Sequence, residues 1–315
     1  MDTARHARSF AVRPRRSIYF VLATLVIGIA AWLISAPRPA LSGPERAEFG
    51  NSGDARNGQL IFAAADCASC HASPGQPDRL RLGGGLALAS PFGTLRVPNI
   101  SPDPGDGIGS WSAADLANAL LTGVSPAGKH YYPALPYTSY THMRPSDVRD
   151  LMAYLRTLPP VQGRPPPHDI AFPLNIRRFV GFWKLLYLDS KPLREAPERG
   201  AAWNRGRYLV EALAHCAECH SSRNVIGGIE SWTRFAGGED PEGAGFAPNI
   251  TPTGLPGWSR ADLATFLRTG TTPDVRTVGS SMAGVLTNTA LLPEADRQAI
   301  ATYVLSLPGR PTSPP

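Results

Sequence analysis

Cys67-Ala68-Ser69-Cys70-His71 and, 149 residues further on, Cys216-Ala217-Glu218-Cys219-His220 hold all four cysteines of the 315-residue chain. At this cysteine and histidine content a single C-x-x-C-H is expected by chance on the order of once in a thousand such chains. The spacing has a chemical reason. Cysteines three apart share one face of a helical turn, so both sulfurs can add to the vinyl groups of one haem while the adjacent histidine reaches its iron. The pattern implies two covalently attached haem c groups, with thioether bonds at Cys67, Cys70, Cys216 and Cys219 and proximal iron ligands at His71 and His220. A structural zinc site would bring its C-x-x-C pairs far closer together, and a thioredoxin-like site would need βαβ surroundings. A disulfide framework would leave both histidines unexplained.

Other landmarks recur at an offset of about 150 residues. Gly58 returns as Gly206, Pro98-Asn99-Ile100-Ser101-Pro102 as Pro248-Asn249-Ile250-Thr251-Pro252, Trp111-Ser112 as Trp258-Ser259, and Tyr154 as Tyr303. The chain is one module, duplicated. In each copy an apolar, helically spaced segment leads into the cysteines: Leu60, Ile61 and Phe62 in the first, Tyr208, Leu209, Val210 and Leu213 in the second. A long Gly/Pro-rich loop follows. Ser112-x-x-Asp115 and Ser259-x-x-Asp262 then read as capping boxes opening short helices that Gly123 and Gly270 close. A last helix runs over about 146–158 or 294–307 and is stopped by Pro159 or Pro308. Strand alternation is absent throughout, so the expected fold is all-α, with about three helices packed round each haem.

The pI of 9.3 raises the question of nucleic acid, and the position of the charge answers it. Arg5, Arg8, Arg13, Arg15 and Arg16 stand against Asp2 at the N-terminus, leaving 26 basic and 24 acidic side chains for the rest. No general basic surface remains, and nucleic acid is not an expected partner. From Ile18 to Ala36 the chain is uncharged for 19 residues, which as a helix is roughly 28 Å, the thickness of a bilayer core. With arginines on the near side, the tail is expected in the cytoplasm and everything after Pro37 outside the inner membrane, in the periplasm. A cleaved signal peptide shares the basic start, but this run exceeds a typical signal core and Pro37 follows the cut that Ala36 would offer, so an uncleaved anchor is favoured. The expected organisation is a basic tail at 1–17, a transmembrane anchor at 18–36, haem domains at 50–160 and 201–310, and a linker at 161–200.

With Gly58 and Gly206 placed for a close helix crossing and Tyr154 and Tyr303 on the opposing helix, the two copies resemble class I cytochrome c domains. The repeated P-N-I-[ST]-P, the Trp-Ser step and Tyr132-Pro133-Ala134-Leu135-Pro136-Tyr137 are similar to the cytochrome c subunits of bacterial membrane-bound dehydrogenases of the alcohol and gluconate type, over roughly residues 50–310. Those subunits often carry three haems and a cleaved signal, whereas this chain has two motifs and an apparent anchor. The resemblance implies Met282 as the distal ligand of the second iron, because it lies between the Trp258 helix and the last helix and no histidine follows His220. Many relatives carry methionine where this chain has Leu135, which cannot ligate iron. Met143, just before the last helix, is then the leading distal candidate of the first haem, with His130, His142 and an open iron as alternatives. Met152 reads as core, and His168 and His215 as packing or surface residues. The resemblance also gives the carbonyls of Pro98 and Pro248 a role in holding the proximal imidazoles, with loop stiffening as the alternative. Trp111 and Trp258 read first as anchors of a helix start.

Between the copies, a proline-rich stretch at 161–167 precedes a dense apolar segment from Phe179 to Leu188. Bracing of the two domains is its first reading; a dehydrogenase subunit or the membrane interface are the others. The function implied is electron transfer from a periplasmic or membrane-associated dehydrogenase to a quinone or a downstream cytochrome, with the chain a subunit rather than an enzyme in its own right. The alternative is a dihaem redox enzyme, a peroxidase or a small-sulfur-compound dehydrogenase, with an open or labile iron in the first domain. No general-acid constellation accompanies that alternative.

Overall fold

The computed structural model describes residues 14–241 and 245–313; most of the basic tail therefore lies outside the described residues. Helix α1 (Pro14–Ile34) is the apolar N-terminal segment, and none of its Ser17–Ile34 stretch is buried in the protein. It ends two residues before the expected Ala36, because Pro37 and Pro39 follow and disfavour helical backbone ahead of them. A short helix α2 (Gly43–Glu48) leads to the first half.

That half is built from α3 (Ala55–Ala64), the cysteine turn α4 (Cys67–His71), α5 (Ala113–Thr122), α6 (Tyr137–Tyr140) and α7 (Pro145–Leu155). A connector helix α8 (Phe179–Tyr187) precedes the second half, which holds α9 (Ala201–Tyr208), α10 (Arg260–Thr269), α11 (Ser281–Thr289) and α12 (Glu294–Val304). Helix α3 crosses α7, and α9 crosses α12, at closely matched points. A Cβ on Gly58 would stand 1.9 Å from the Asp150 carbonyl, and one on Gly206 would stand 1.9 Å from that of Ala299. Only glycine permits backbones this close. Phe62 meets Tyr154 edge-on at 5.3 Å, and Trp203 meets Tyr303 at 5.2 Å, so each crossing is sealed by an aromatic pair.

The capping boxes form as read: the Ser112 and Ser259 hydroxyls accept from the Asp115 and Asp262 amides at 3.1 Å, and both carboxylates return to the serine amide. Gly123 and Gly270 close the helices in the left-handed region, with φ of 60° and 71°. Trp111 and Trp258 are partly buried against the core at these helix starts.

Three local expectations are corrected. Small strands do occur: β1 (Ala87–Ser90), β2 (Gly93–Arg96) and β3 (Asp169–Ile170) form an antiparallel sheet in the order β1-β2-β3, and β4 (Gly238–Glu239) pairs with β5 (Phe246–Ala247). They are loop-bracing hairpins too short to show an alternating pattern, and the fold stays mostly helical. The last helices stop at Leu155 and Val304, three residues short of the expected ends, where tighter turns lead into the prolines. The leading helix of the second half widens into a π turn over Leu209–Leu213 instead of continuing as α-helix.

The halves share one apolar core. Between them, Tyr208 donates its hydroxyl to Asp147 and accepts the Arg144 amide at 3.0 Å, with the Arg144 guanidinium 4.5 Å over its ring. Thr138 donates to Glu218 at 2.7 Å, and Asn288 of α11 donates to Asp66 and, at 3.3 Å, to Ser69 of the first cysteine turn.

The connector helix is part of this framework. Its Lys184 ammonium donates to the carbonyls of Thr122 at 2.6 Å and Gly123 at 2.8 Å. Trp183 Nε1 donates to the Ile226 carbonyl at 3.0 Å, and Asn224 donates to the Tyr187 hydroxyl at 2.8 Å. The apolar segment thus touches both halves.

Candidate haem-binding sites

Each site begins with a left-handed residue. Asp66 (φ 54°) and His215 (φ 39°) immediately precede Cys67 and Cys216 and swing the chain out of the leading helix into the cysteine turn. Asp and His tolerate this conformation better than most non-glycine residues. The first cysteine turn is α-helical and the second, Cys216–Glu218, is a 3₁₀ turn; both bring their cysteines to one side, and all four cysteines are half-buried and form no disulfide. Burial pushes the Cys67 and Cys216 thiols up to about 12, so free sulfurs here would be held protonated.

His71 Nδ1 lies 2.9 Å from the Pro98 carbonyl, and His220 Nδ1 lies 2.6 Å from that of Pro248. A carbonyl only accepts, so Nδ1 carries the proton in both rings and the Nε2 lone pair is left bare. Burial drives the His71 imidazole down to about 4 and pushes that of His220 down as well. Both are neutral and aimed by one backbone bond, the state an iron-ligating histidine requires.

The P-N-I-[ST]-P repeat explains how those carbonyls are held. Asn99 Nδ2 donates to the carbonyls of Val161 at 2.7 Å and Gly163 at 3.0 Å, while its Oδ1 accepts the Ser101 amide at 2.9 Å. Asn249 donates to the Arg310 carbonyl at 2.9 Å and accepts the Thr251 amide at 2.8 Å. In both halves the buried asparagine ties the proline loop to the chain leaving the last helix. The sequence displays the repeat but not this role, because each partner lies some 60 residues away in the chain.

Among the distal candidates, Met143 is only 4% exposed and belongs to the core cluster, just beyond α6. Met282 is half-buried in the first turn of α11. His130 is engaged at both ring nitrogens: Nε2–H donates to the Ser35 carbonyl at 2.9 Å, and Nδ1 accepts from Lys184 at 3.1 Å. His142 commits Nδ1 to the Lys191 carbonyl at 2.8 Å. Met152 is fully buried inside α7, His168 accepts the Arg96 amide at 3.0 Å, and the His215 ring packs on Tyr140 at 5.7 Å. Two thiols and a tautomer-fixed imidazole in each half fit a covalent haem.

Comparison with known proteins agrees with this chemistry. The cytochrome c family profile matches residues 55–159. A protein described as "Diheme cytochrome c-type" from Cereibacter sphaeroides is 50% identical over 301 residues, covering 93% of this chain and 99% of that one. The fructose dehydrogenase cytochrome subunit of Gluconobacter japonicus is 37% identical over 81% of this chain, and the gluconate 2-dehydrogenase cytochrome c subunit of Pantoea cypripedii is 33% identical over 82%. The chain spans 53% and 60% of the length of these two larger relatives.

The chain belongs to the dihaem c-type cytochromes. It carries two haem c groups, transfers electrons, and is related to the cytochrome subunits of dehydrogenases.

Proposed function

We propose that the protein is the electron-transfer subunit of a dehydrogenase system on the outer face of the inner membrane, passing electrons on to a quinone or a downstream cytochrome. The observation that carries the reading is the docking of α11 on the first cysteine turn. Gly284 of α11 lies so close that a Cβ there would sit 2.7 Å from the Ser69 hydroxyl, and Asn288 bonds to Asp66 and Ser69. The helix bearing Met282 is thereby fixed against the turn bearing Cys67 and Cys70, which suits transfer between two fixed centres.

A bound haem c supplies reversible one-electron iron chemistry, and a methionine opposite the histidine raises its potential. In this reading, residues 50–160 and 201–310 are the two haem domains. Cys67, Cys70, Cys216 and Cys219 hold the cofactors; His71 and His220 are the proximal ligands, and Met143 and Met282 the distal ones. Burial of Met143 within the core and the commitment of both His130 nitrogens elsewhere support methionine in the first half.

Helix α1 is read as a retained anchor. Ser35, just past its end, is 1% exposed and accepts from His130, and a Cβ on Gly181 of α8 would meet its carbonyl oxygen at 2.3 Å. The segment after it is tied to α5, where Leu41 and Asn118 exchange bonds of 2.7 and 3.0 Å and Arg46 pairs with Asp115 at 2.7 Å. A cut after Ala36 would remove Ser35 from His130 and Gly181, so it is the Ser35 contacts that support retention.

The test is to mix the reduced, full-length protein in detergent with an oxidised quinone, with an acceptor cytochrome c and, separately, with hydrogen peroxide. Both haems reoxidise with at least one of the first two acceptors, and peroxide is not turned over. Peroxide turnover at the first haem would instead support the redox-enzyme reading.

A further inference from the structure

Connector helix α8 carries its charge on the wrong side for a helix facing water. Its buried face is Val180, Gly181 and Lys184, and the lysine, its one charged residue, points inward to the Thr122 and Gly123 carbonyls and His130 Nδ1. The opposite face is apolar and open: Phe179 and Leu186, one above the other at i and i+7, with Leu185 beside them. In the segment leading into the helix, Phe172, Leu174 and Ile176 are exposed as well, with Phe172 at 78% and Leu186 at 68%. An inward charge and an outward apolar stripe suit a lipid surface rather than water.

The position of the helix selects the occupant. Arg178 donates from Nη2 to the Trp32 carbonyl at 2.5 Å, its guanidinium lies 4.0 Å over the Trp32 indole, and Gly181 abuts Ser35. Trp32 and Ser35 mark the end of the apolar span, so α8 is fixed where α1 leaves the bilayer, at the level where tryptophan and arginine commonly sit. We infer that the surface formed by Phe172, Leu174, Ile176, Phe179, Leu185 and Leu186 is seated in the headgroup region of the outer leaflet, as a second membrane contact continuous with α1.

This inference rests on the reading of α1 as a retained anchor. Two contacts with the bilayer, rigidly joined, fix the tilt of the haem-bearing halves. They also hold the Asn224–Gly228 loop, to which Trp183 and Tyr187 are bonded, close to the membrane surface.

Site-directed spin labelling of the haem-loaded full chain in lipid nanodiscs tests it, since the native cysteines are consumed as thioethers. Labels are placed singly through Phe172→Cys, Leu186→Cys, Val26→Cys in α1 and Val275→Cys, a residue 82% exposed in the α10–α11 loop. The ratio of oxygen to nickel-chelate accessibility at 172 and 186 should fall between those at 26 and 275, several-fold above that at 275. A lipid-like signal at 26 with water-like signals at 172 and 186 overturns the inference and leaves the anchor standing. Shielding of 172 and 186 from both reagents overturns it in favour of a protein partner. A water-like signal at 26 removes the anchor reading itself.

Discussion

His71 and His220 illustrate how little the sequence must specify to aim a neutral imidazole: one proline carbonyl each, and burial that disfavours the charged ring. The less visible requirement is the asparagine that holds that carbonyl in place. Asn99→Ala takes the side-chain donor from the Gly163 carbonyl and the acceptor from the Ser101 amide, leaves the Val161 carbonyl only the Ser101 hydroxyl at 3.3 Å, and is expected to cost about 1–3 kcal/mol, read by denaturant unfolding of the haem-loaded protein. Asn249→Ala should behave alike in the second half. Lys184 gives a pH signature. Burial pushes its ammonium down to about 7, whereas in the unfolded chain it titrates near 10.5, so between these values the unfolded state binds the extra proton. Stability therefore rises from pH 7 towards 10, by up to about 1.4 kcal/mol per pH unit from this group, and Lys184→Met should flatten the slope in thermal melts. The C-x-x-C-H motifs and the bracketing prolines are legible in the sequence because their chemistry is local. The left-handed Asp66 and His215 are not, since neither residue type demands that conformation.

At the level of elements, what the sequence makes legible is what has a strong local signature: two capping boxes, two glycine C-caps and two glycine crossings. Strands of two to four residues and the widened turn at Leu209–Leu213 carry no periodicity long enough to read. Helix α11 is the instructive omission: the residue order puts Met282 between the Trp258 helix and the last one, but the helix that carries it is defined by packing on the other half. Gly284→Val would drive a branched side chain into Ser69 and is expected to cost about 1–3 kcal/mol by overpacking, loosening the joint between the halves. Pulse-radiolysis measurement of transfer between the haems should then show a slower internal step, with the static spectrum of each haem unchanged. An unaltered internal rate would remove α11 from the path.

For the whole molecule, the duplicated order of elements is evident from the offset of the landmarks, whereas the joining of the halves to each other and to α1 is not. Those contacts link residues as far apart as Asp66 and Asn288, or Ser35 and His130, and no local pattern announces them. Removing residues 1–36 strips His130 and Arg178 of their Ser35 and Trp32 partners, so the shortened haem-loaded protein should be less stable than the full chain by about 1–3 kcal/mol in matched detergent melts. Equal stability would argue that the seat is incidental.

The central claim is that both irons are six-coordinate, with Met143 and Met282 as distal ligands, and carbon monoxide added to the fully reduced full-length protein tests it most directly. The account predicts two low-spin haems that ignore the gas, one haem made reactive by Met143→Leu, and the other by Met282→Leu. Binding of carbon monoxide by the unsubstituted protein, or a Met143→Leu spectrum identical to it, would contradict the account and reopen the first haem as a site of catalysis.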